Sequence, residues 1–505
     1  MISLLLLIAC AAPQKPASTD TTDDTSPPPG AGETGETAPP EDTGPRDSGA
    51  PDTGEAGRRE VIVHLFEWRW DDIAEECERS LGPAGYGAVQ VSPPQEHALI
   101  DGNPWWERYQ PVAYQLASRS GDSDAFAEMV ARCAAVDVAI YVDAVINHMA
   151  WGGGAGSGGT SYGDYSYGEH YTEENFHDCR RGISDWGNRE EIQNCELATL
   201  PDLATEQEHV RGQLSGYLQS LLDLGVAGFR VDAAKHMPAE DLAAIFGAVS
   251  GAPSVFQEIL SLDAGDVIQP SEYTHIGRVT ELRYGMELSR VFQEDQLVWL
   301  GSFGEVWGMM PSQDALVFID NHDNQRGHGA GEPLTYKDGG LYQVANVFML
   351  AWPYGRPKVM SSYAFDDGDV GPPRDGEETL RVHDGEGGCR EQWVCEHRWP
   401  GIAGMVGFRN VAGDAPVENW WSNDNDQIAF SRGDRAFVVI NREEKPTLTR
   451  TFQTGLPEGR YCDVITGARV DGACTGGEIT IDASGEAALT VGPLDAVATH
   501  AEARL

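Results

Sequence analysis

Short apolar runs that end in charged or polar residues recur from Val61 to Ser361, separated by stretches with helical spacing, and this alternation limits the fold more than anything else. The runs are Val61–Phe66, Ala88–Val91, Val138–Val142, Gly225–Phe229, Ser254–Gln257, Ala315–Ile319 and Lys358–Ser361. Between them, Trp70–Arg79, Ala125–Ala135, Glu206–Leu224, Ala239–Val249 and Leu341–Ala351 read as helices; Phe126, Met129, Val130 and Cys133 mark one apolar face. Strand and helix in alternation give a parallel barrel or a doubly wound sheet. Polar residues gather after strand upon strand: Asp143 to His148, Arg230 to His236, Glu258, and Asp320 to Arg326. In a barrel that end carries the active site.

The flanks differ in kind. Met1 to Cys10 is an apolar run too short to span a bilayer and reads as an export signal, with Leu7-Ile8-Ala9-Cys10 resembling a bacterial lipobox that would place a lipid on Cys10. Residues 11–58, rich in Pro, Gly, Ser, Thr, Asp and Glu, read as a disordered acidic tether. The barrel is expected over 59–411, an inserted excursion of glycines and tyrosines over 148–203, and an antiparallel β-domain over 412–505. A formal net charge of -45 argues against nucleic acid and anionic membrane surfaces as partners, leaving a lipid anchor as the route to a membrane. Gly152-Gly153-Gly154 lacks the lysine and hydroxyl of a phosphate loop.

Beyond Cys10 the cysteines are Cys77, Cys133, Cys179, Cys195, Cys389, Cys395, Cys462 and Cys474. Close spacing favours Cys179 with Cys195, Cys389 with Cys395 and Cys462 with Cys474, leaving Cys77 with Cys133, although spacing alone does not fix connectivity. An even set without zinc-type spacing points to an oxidising compartment.

Arg230 and Asp232 lie two apart on a strand and therefore face the same way. Alone they fit either a structural ion pair or a nucleophile with its orienting cation. Asp232, Glu258 and Asp323, at three strand ends, supply the two carboxyl groups that glycoside hydrolysis requires and one more.

Asp143-Ala144-Val145-Ile146-Asn147-His148, Gly228-Phe229-Arg230-Val231-Asp232-Ala233-Ala234-Lys235-His236, Phe256-Gln257-Glu258 and Phe318-Ile319-Asp320-Asn321-His322-Asp323 resemble, in order, the signature regions of α-amylases of glycoside hydrolase family 13. Phe66-Glu67-Trp68-Arg69-Trp70, Asn103 to Pro111 and Trp393 to Trp399 extend the resemblance, which is to the animal-type enzymes. It implies a (β/α)₈ TIM barrel, an inserted calcium-binding B domain, a C-terminal antiparallel β-sandwich, and a monomeric, exported endohydrolase of starch or glycogen.

Carried over by position, Asp232 is the nucleophile, Glu258 the general acid and base, and Asp323 the carboxylate that orients and strains the sugar. Retention is implied, with the Asp232 and Glu258 carboxyls roughly 5–5.5 Å apart. Arg230 is expected to lower the pKa of Asp232, and burial with neighbouring negative charge to keep Glu258 protonated. Trp105, Trp106 and Tyr109 would form an aromatic floor, His148 and His322 would bind sugar hydroxyls, and Lys235 and His328 would contact substrate. Calcium would be held by Asn147, Asp202 and the carbonyls of Gln193 and His236. For chloride the resemblance asks for Arg230, Asn321 and a second arginine; Gly340 is read at that last position, Lys337 and Lys358 are the lysines that could stand in with only a point charge, and activity without chloride is expected. A transglycosylase with the same carboxylates, and a glucan-binding protein without catalysis, are the competing readings.

Overall fold

The computed structural model describes residues 59–505 apart from Ala330 and Glu377. The signal ending at Cys10 and the tether over 11–58 lie outside the described residues. Eight parallel strands close on themselves: β1 (Ile62–Leu65), β2 (Ala88–Val91), β3 (Ala139–Ala144), β4 (Gly228–Val231), β5 (Ser254–Gln257), β6 (Arg278–Thr280), β7 (Ala315–Val317) and β8 (Arg356–Ser361), with β8 returning to pair with β1. The chain folds as a (β/α)₈ barrel with a C-terminal all-β domain.

Strands of such a barrel are covered on both faces, which is why they read as short continuous apolar runs. Ile62, Ala88, Tyr141, Phe256, Leu316 and Phe318 belong to one core cluster, while Val63, Val89, Ile140, Phe229, Val255, Val279 and Val317 belong to another with the helices. Those helices are α1 (Trp70–Glu76), α2 (Ser123–Ala134), α3 (Glu208–Asp223), α4 (Ala239–Gly247), α5 (Leu282–Gln293), α6 (Gly340–Ala351) and α7 (Pro400–Ala412). Strand β6, with α5 and α7, was not legible in the sequence. Strand β6, Arg278-Val279-Thr280, has a single apolar residue and so forms no run, and α7 carries glycines at 401, 404 and 407 that hide its apolar face.

The excursion leaves and returns where His148 bridges Asp202, just beyond β3. Inside it lie short antiparallel strands and the Cys179–Cys195 disulfide; Cys77–Cys133, Cys389–Cys395 and Cys462–Cys474 complete the set. Among the described residues no helix is long and apolar enough to cross a membrane.

The C-terminal domain contributes β9 (Val417–Ser422), β10 (Gln427–Arg432), β11 (Ala436–Asn441), β12 (Leu448–Gln453), β13 (Gly459–Cys462), β14 (Glu478–Ile481), β15 (Glu486–Val491) and β16 (Asp495–His500). Strands β9, β10, β11 and β16 form one antiparallel sheet, and β12 with β15 and β13 with β14 form pairs. Every residue of β10 and β11 is buried. Alternation explains this: Ile428, Phe430, Val438 and Ile440 belong to the core shared with the barrel, while Ala429, Phe437 and Val439 belong to a second core with β12 to β15.

Candidate active site

Parallel register sets Arg230 of β4 beside Asp143 of β3 and Phe256 of β5, so one guanidinium sits where three strand ends converge. Its Nη1 donates to Asp143 Oδ1 and to Asp232 Oδ1, each at 2.7 Å, and its Nη2 lies 2.9 Å from Glu258 Oε2. Directly after Asp232 the chain turns left-handed at Ala233 (φ 49°), and the Ala233 N–H donates to Glu258 Oε2 at 3.0 Å. A non-glycine residue in that conformation is strain retained at a site that needs it. Asp143, fully buried, also accepts from the Tyr109 hydroxyl at 2.9 Å and from Gln90 Nε2 at 3.2 Å.

One reading is extended here and one expectation corrected. Arg230 serves Asp143 as well as Asp232 and Glu258, and Asp143, given no role from the sequence, is the innermost of the three. Its signal was present, as the acidic end of an otherwise apolar strand. Arg230 does draw the Asp232 pKa down, but burial together with Glu258, Asp143 and Asp323 outweighs it and holds that pKa well above the ordinary range. Burial and Glu258 likewise lift Asp323 to about 7.

The aromatic wall forms around His322. Tyr109 stacks on its ring at 5.2 Å, Trp105 meets it edge-on at 5.5 Å, and its Nε2 lies 3.3 Å from Asp323 Oδ2. Trp105 and Tyr109 are buried, and Trp106 is half-buried. His148 donates from Nε2 to the Tyr109 carbonyl at 2.9 Å, and burial lowers its pKa to about 4, so the ring is neutral. Lys235 donates to the Leu260 carbonyl at 2.5 Å. His328 packs 5.9 Å from Trp105 and 3.9 Å from Asp369. Trp186, missed in the sequence, projects its ring 43 % exposed and edge-on to His236.

The residues expected to hold calcium gather at the root of the excursion. Asn147 Nδ2 donates to Asp202 Oδ1 at 3.2 Å, and His236 Nδ1 donates to the carbonyl of Ile192, the neighbour of Gln193, at 2.9 Å. Burial raises the Asp202 pKa to about 7, with the His177 imidazole 2.6 Å away opposing it. A buried carboxylate compensated by one imidazole, beside an amide and two backbone segments, fits a hard divalent cation. A separate group, Asp72 and Glu75 of α1 with His383, is compensated by Arg381 at 2.8 Å from Asp72.

The reading of the anion site is also corrected. Gly340 begins α6, and a Cβ there would meet Leu494 of the C-terminal domain, not Arg230. Lys358 of β8 is the second cation: buried, its Nζ donates to Gln90 Oε1 at 2.9 Å and lies 5.0 Å from the Phe318 ring. Burial and then Arg230 lower its pKa to about 8, so the two cations feel each other. Asn321 accepts the Asp323 and Asn324 N–H groups on Oδ1, which leaves its amide nitrogen to donate elsewhere.

Comparison with known proteins agrees with this geometry. Residues 105–258 match the model of the α-amylase catalytic domain and residues 420–502 that of the α-amylase C-terminal all-β domain. An α-amylase of Streptomyces violaceus is 48 % identical over 448 residues, covering 88 % of this chain and 75 % of that protein. An α-amylase-related protein of Drosophila willistoni is 45 % identical over 473 residues, 89 % of this chain and 95 % of its own. The crystal structure of wild-type α-amylase I from Eisenia fetida superposes with a TM-score of 0.82 at 41 % identity, covering 88 % of this chain and 97 % of that one. A mutant of the same enzyme in complex with maltohexaose superposes equally well. With that much of its length shared at such identity, the chain belongs to the α-amylase family of glycoside hydrolases.

Proposed function

We propose that this protein is an exported α-amylase that cleaves internal α-1,4-glucosidic bonds of starch, glycogen and maltooligosaccharides with retention of anomeric configuration. The observation that carries the reading is the Arg230 fork, which holds Asp232 at 2.7 Å and Glu258 at 2.9 Å. Two carboxyl groups gripped by one guanidinium are set close together, as double displacement requires. The maltohexaose bound to the Eisenia mutant supports a glucan as substrate.

Asp232 attacks the anomeric carbon and Glu258 protonates the departing oxygen, then draws a proton from water in the second step. Four carboxylates, those of Asp143, Asp232, Glu258 and Asp323, face two buried cations, Arg230 and Lys358. Such a cluster cannot ionise fully near neutral pH, so a proton stays among these groups, and Asp232 reacts in the ionised form that Arg230 pairs with. Asp323, with the neutral His322 beside it, binds the sugar hydroxyls and favours the distorted ring.

Asn147, Asp202 and the carbonyls of Gln193 and His236 would hold calcium, which supplies charge that fastens the excursion to the barrel. Arg230, Lys358 and Asn321 would hold chloride, a donor set of guanidinium, ammonium and amide. The four disulfides agree with an oxidising compartment outside the cytosol. A lipid on Cys10, with 11–58 as its tether, is the proposed mode of surface attachment.

Proton NMR of starch digestion tests the chemistry: the first product is the α-anomer, and an initial β-anomer overturns the assignment. Exhaustive chelation lowers melting temperature and activity together; unchanged melting removes the calcium site. Dialysis against a chloride-free buffer lowers activity, which chloride restores, and full activity without chloride removes the anion site.

A further inference from the structure

One glycine-rich stretch of the excursion is preceded by a large, exposed side chain. From Gly152 to Ser161 every residue is Gly, Ala, Ser or Thr, yet Trp151 stands immediately before them with 56 % of its surface exposed. Gly152 (φ 81°), next to it, has open space where a Cβ would stand. A tryptophan left in water on a bare ridge is the informative kind of surface residue.

Its backbone ties it to the substrate wall. The Trp151 N–H donates to Gln110 Oε1 at 3.3 Å, and the Ala150 N–H donates to the Pro111 carbonyl at 2.8 Å. Gln110 directly follows the turn Trp105–Tyr109 that presents the aromatic wall, and its carbonyl accepts the Ala98 N–H at 2.9 Å. Leu99, 61 % exposed, follows Ala98, which itself bridges Gly156 of the ridge. The segments that carry Trp151 and Leu99 are therefore both tied to Gln110, the residue that follows the aromatic turn.

We propose that Trp151 forms an additional sugar-binding platform that holds a glucosyl unit beyond the aromatic wall. The inference rests on the α-glucan reading above. The ligand is a neutral glucan chain, because the C–H face of a pyranose packs on an indole and a neutral chain meets no penalty from a protein of net charge -45. Glycines beside the indole leave space for the ring to lie flat. The platform lengthens the preferred substrate rather than altering the chemistry.

The test is calorimetric binding in a Glu258→Gln background, with and without Trp151→Ala. Maltoheptaose affinity falls about fivefold, maltotriose affinity changes less than twofold, and Trp151→Phe keeps most of the maltoheptaose affinity. Equal losses for both oligosaccharides, or unchanged maltoheptaose affinity, overturn the platform. Hydrolysis of starch by the unsubstituted protein tests the function separately, so failure of one is not mistaken for failure of the other.

Discussion

Two buried charge clusters lie on either side of the turn Trp105–Tyr109, and they are built to opposite accounts. On one side, Arg108 and Arg119 meet Glu67 and Glu107: Arg108 Nη1 is 3.3 Å and Arg119 Nε 2.8 Å from Glu67, and Arg119 Nη1 is 2.8 Å from Glu107. Two cations face two carboxylates, and Arg108 also donates to the Pro93 carbonyl at 3.0 Å and to Ser120 Oγ at 2.8 Å. On the other side, reached through Tyr109, four carboxylates face Arg230 and Lys358. Balance in the first cluster fixes a loop. Excess negative charge in the second retains protons, and a retained proton beside a carboxylate is what acid–base chemistry consumes.

If that contrast holds, substitutions in the two clusters separate activity from stability. Glu258→Gln removes an acid from the overcharged cluster and keeps its shape, so kcat on maltoheptaose falls about 10⁴-fold while thermal melting stays within a few degrees. Collapse of melting with modest loss of activity breaks the distinction. Arg108→Met does the reverse. It leaves the buried Glu67 with Arg119 alone and takes the donors from the Pro93 carbonyl and Ser120 Oγ, and urea unfolding shows a loss of about 3–5 kcal/mol. A loss below about 1 kcal/mol places that cluster with ordinary surface pairs.

The sequence showed these clusters unequally. Asp232, Glu258 and Asp323 stood out because each closes an apolar run at a strand end, and Arg230 because it sits two residues before Asp232. Lys358 was visible as a lysine within a strand, but Gly340 drew attention elsewhere because position along the chain does not say which way a helix start faces; here it faces Leu494. Asp143 bonds to Arg230 through strand register, a relation between residues far apart in the chain. The other barrel strands were legible because each lies in an apolar run, that of the three-residue β7 continuing through Phe318 and Ile319, whereas β6, between Gly277 and Glu281, has no such run. Its place is fixed by pairing with β5 and β7, which is tertiary information.

The smallest effect in the comparison is the proton cost of the overcharged cluster itself. Asp323 has its pKa raised from 3.8 to about 7, first by burial and then by Glu258, so between those values the folded protein keeps a proton that the unfolded chain releases. Stability is therefore full below about pH 4 and declines as pH rises toward 7. Asparagine is neutral at every pH and nearly the same shape, so Asp323→Asn matches the parent near pH 4 and exceeds it at pH 8. A tenfold difference in proton affinity between the folded and unfolded chain is worth about 1.4 kcal/mol, but the neighbouring carboxylates share the proton, so the gain at pH 8 is about 2 kcal/mol. Urea midpoints across pH 4 to 8, in fixed calcium and chloride, measure it. A parent and variant that run parallel across that range show Asp323 to be no part of the strained cluster, and a variant less stable at pH 8 shows its ionised form to be held by Arg230 rather than tolerated beside Glu258.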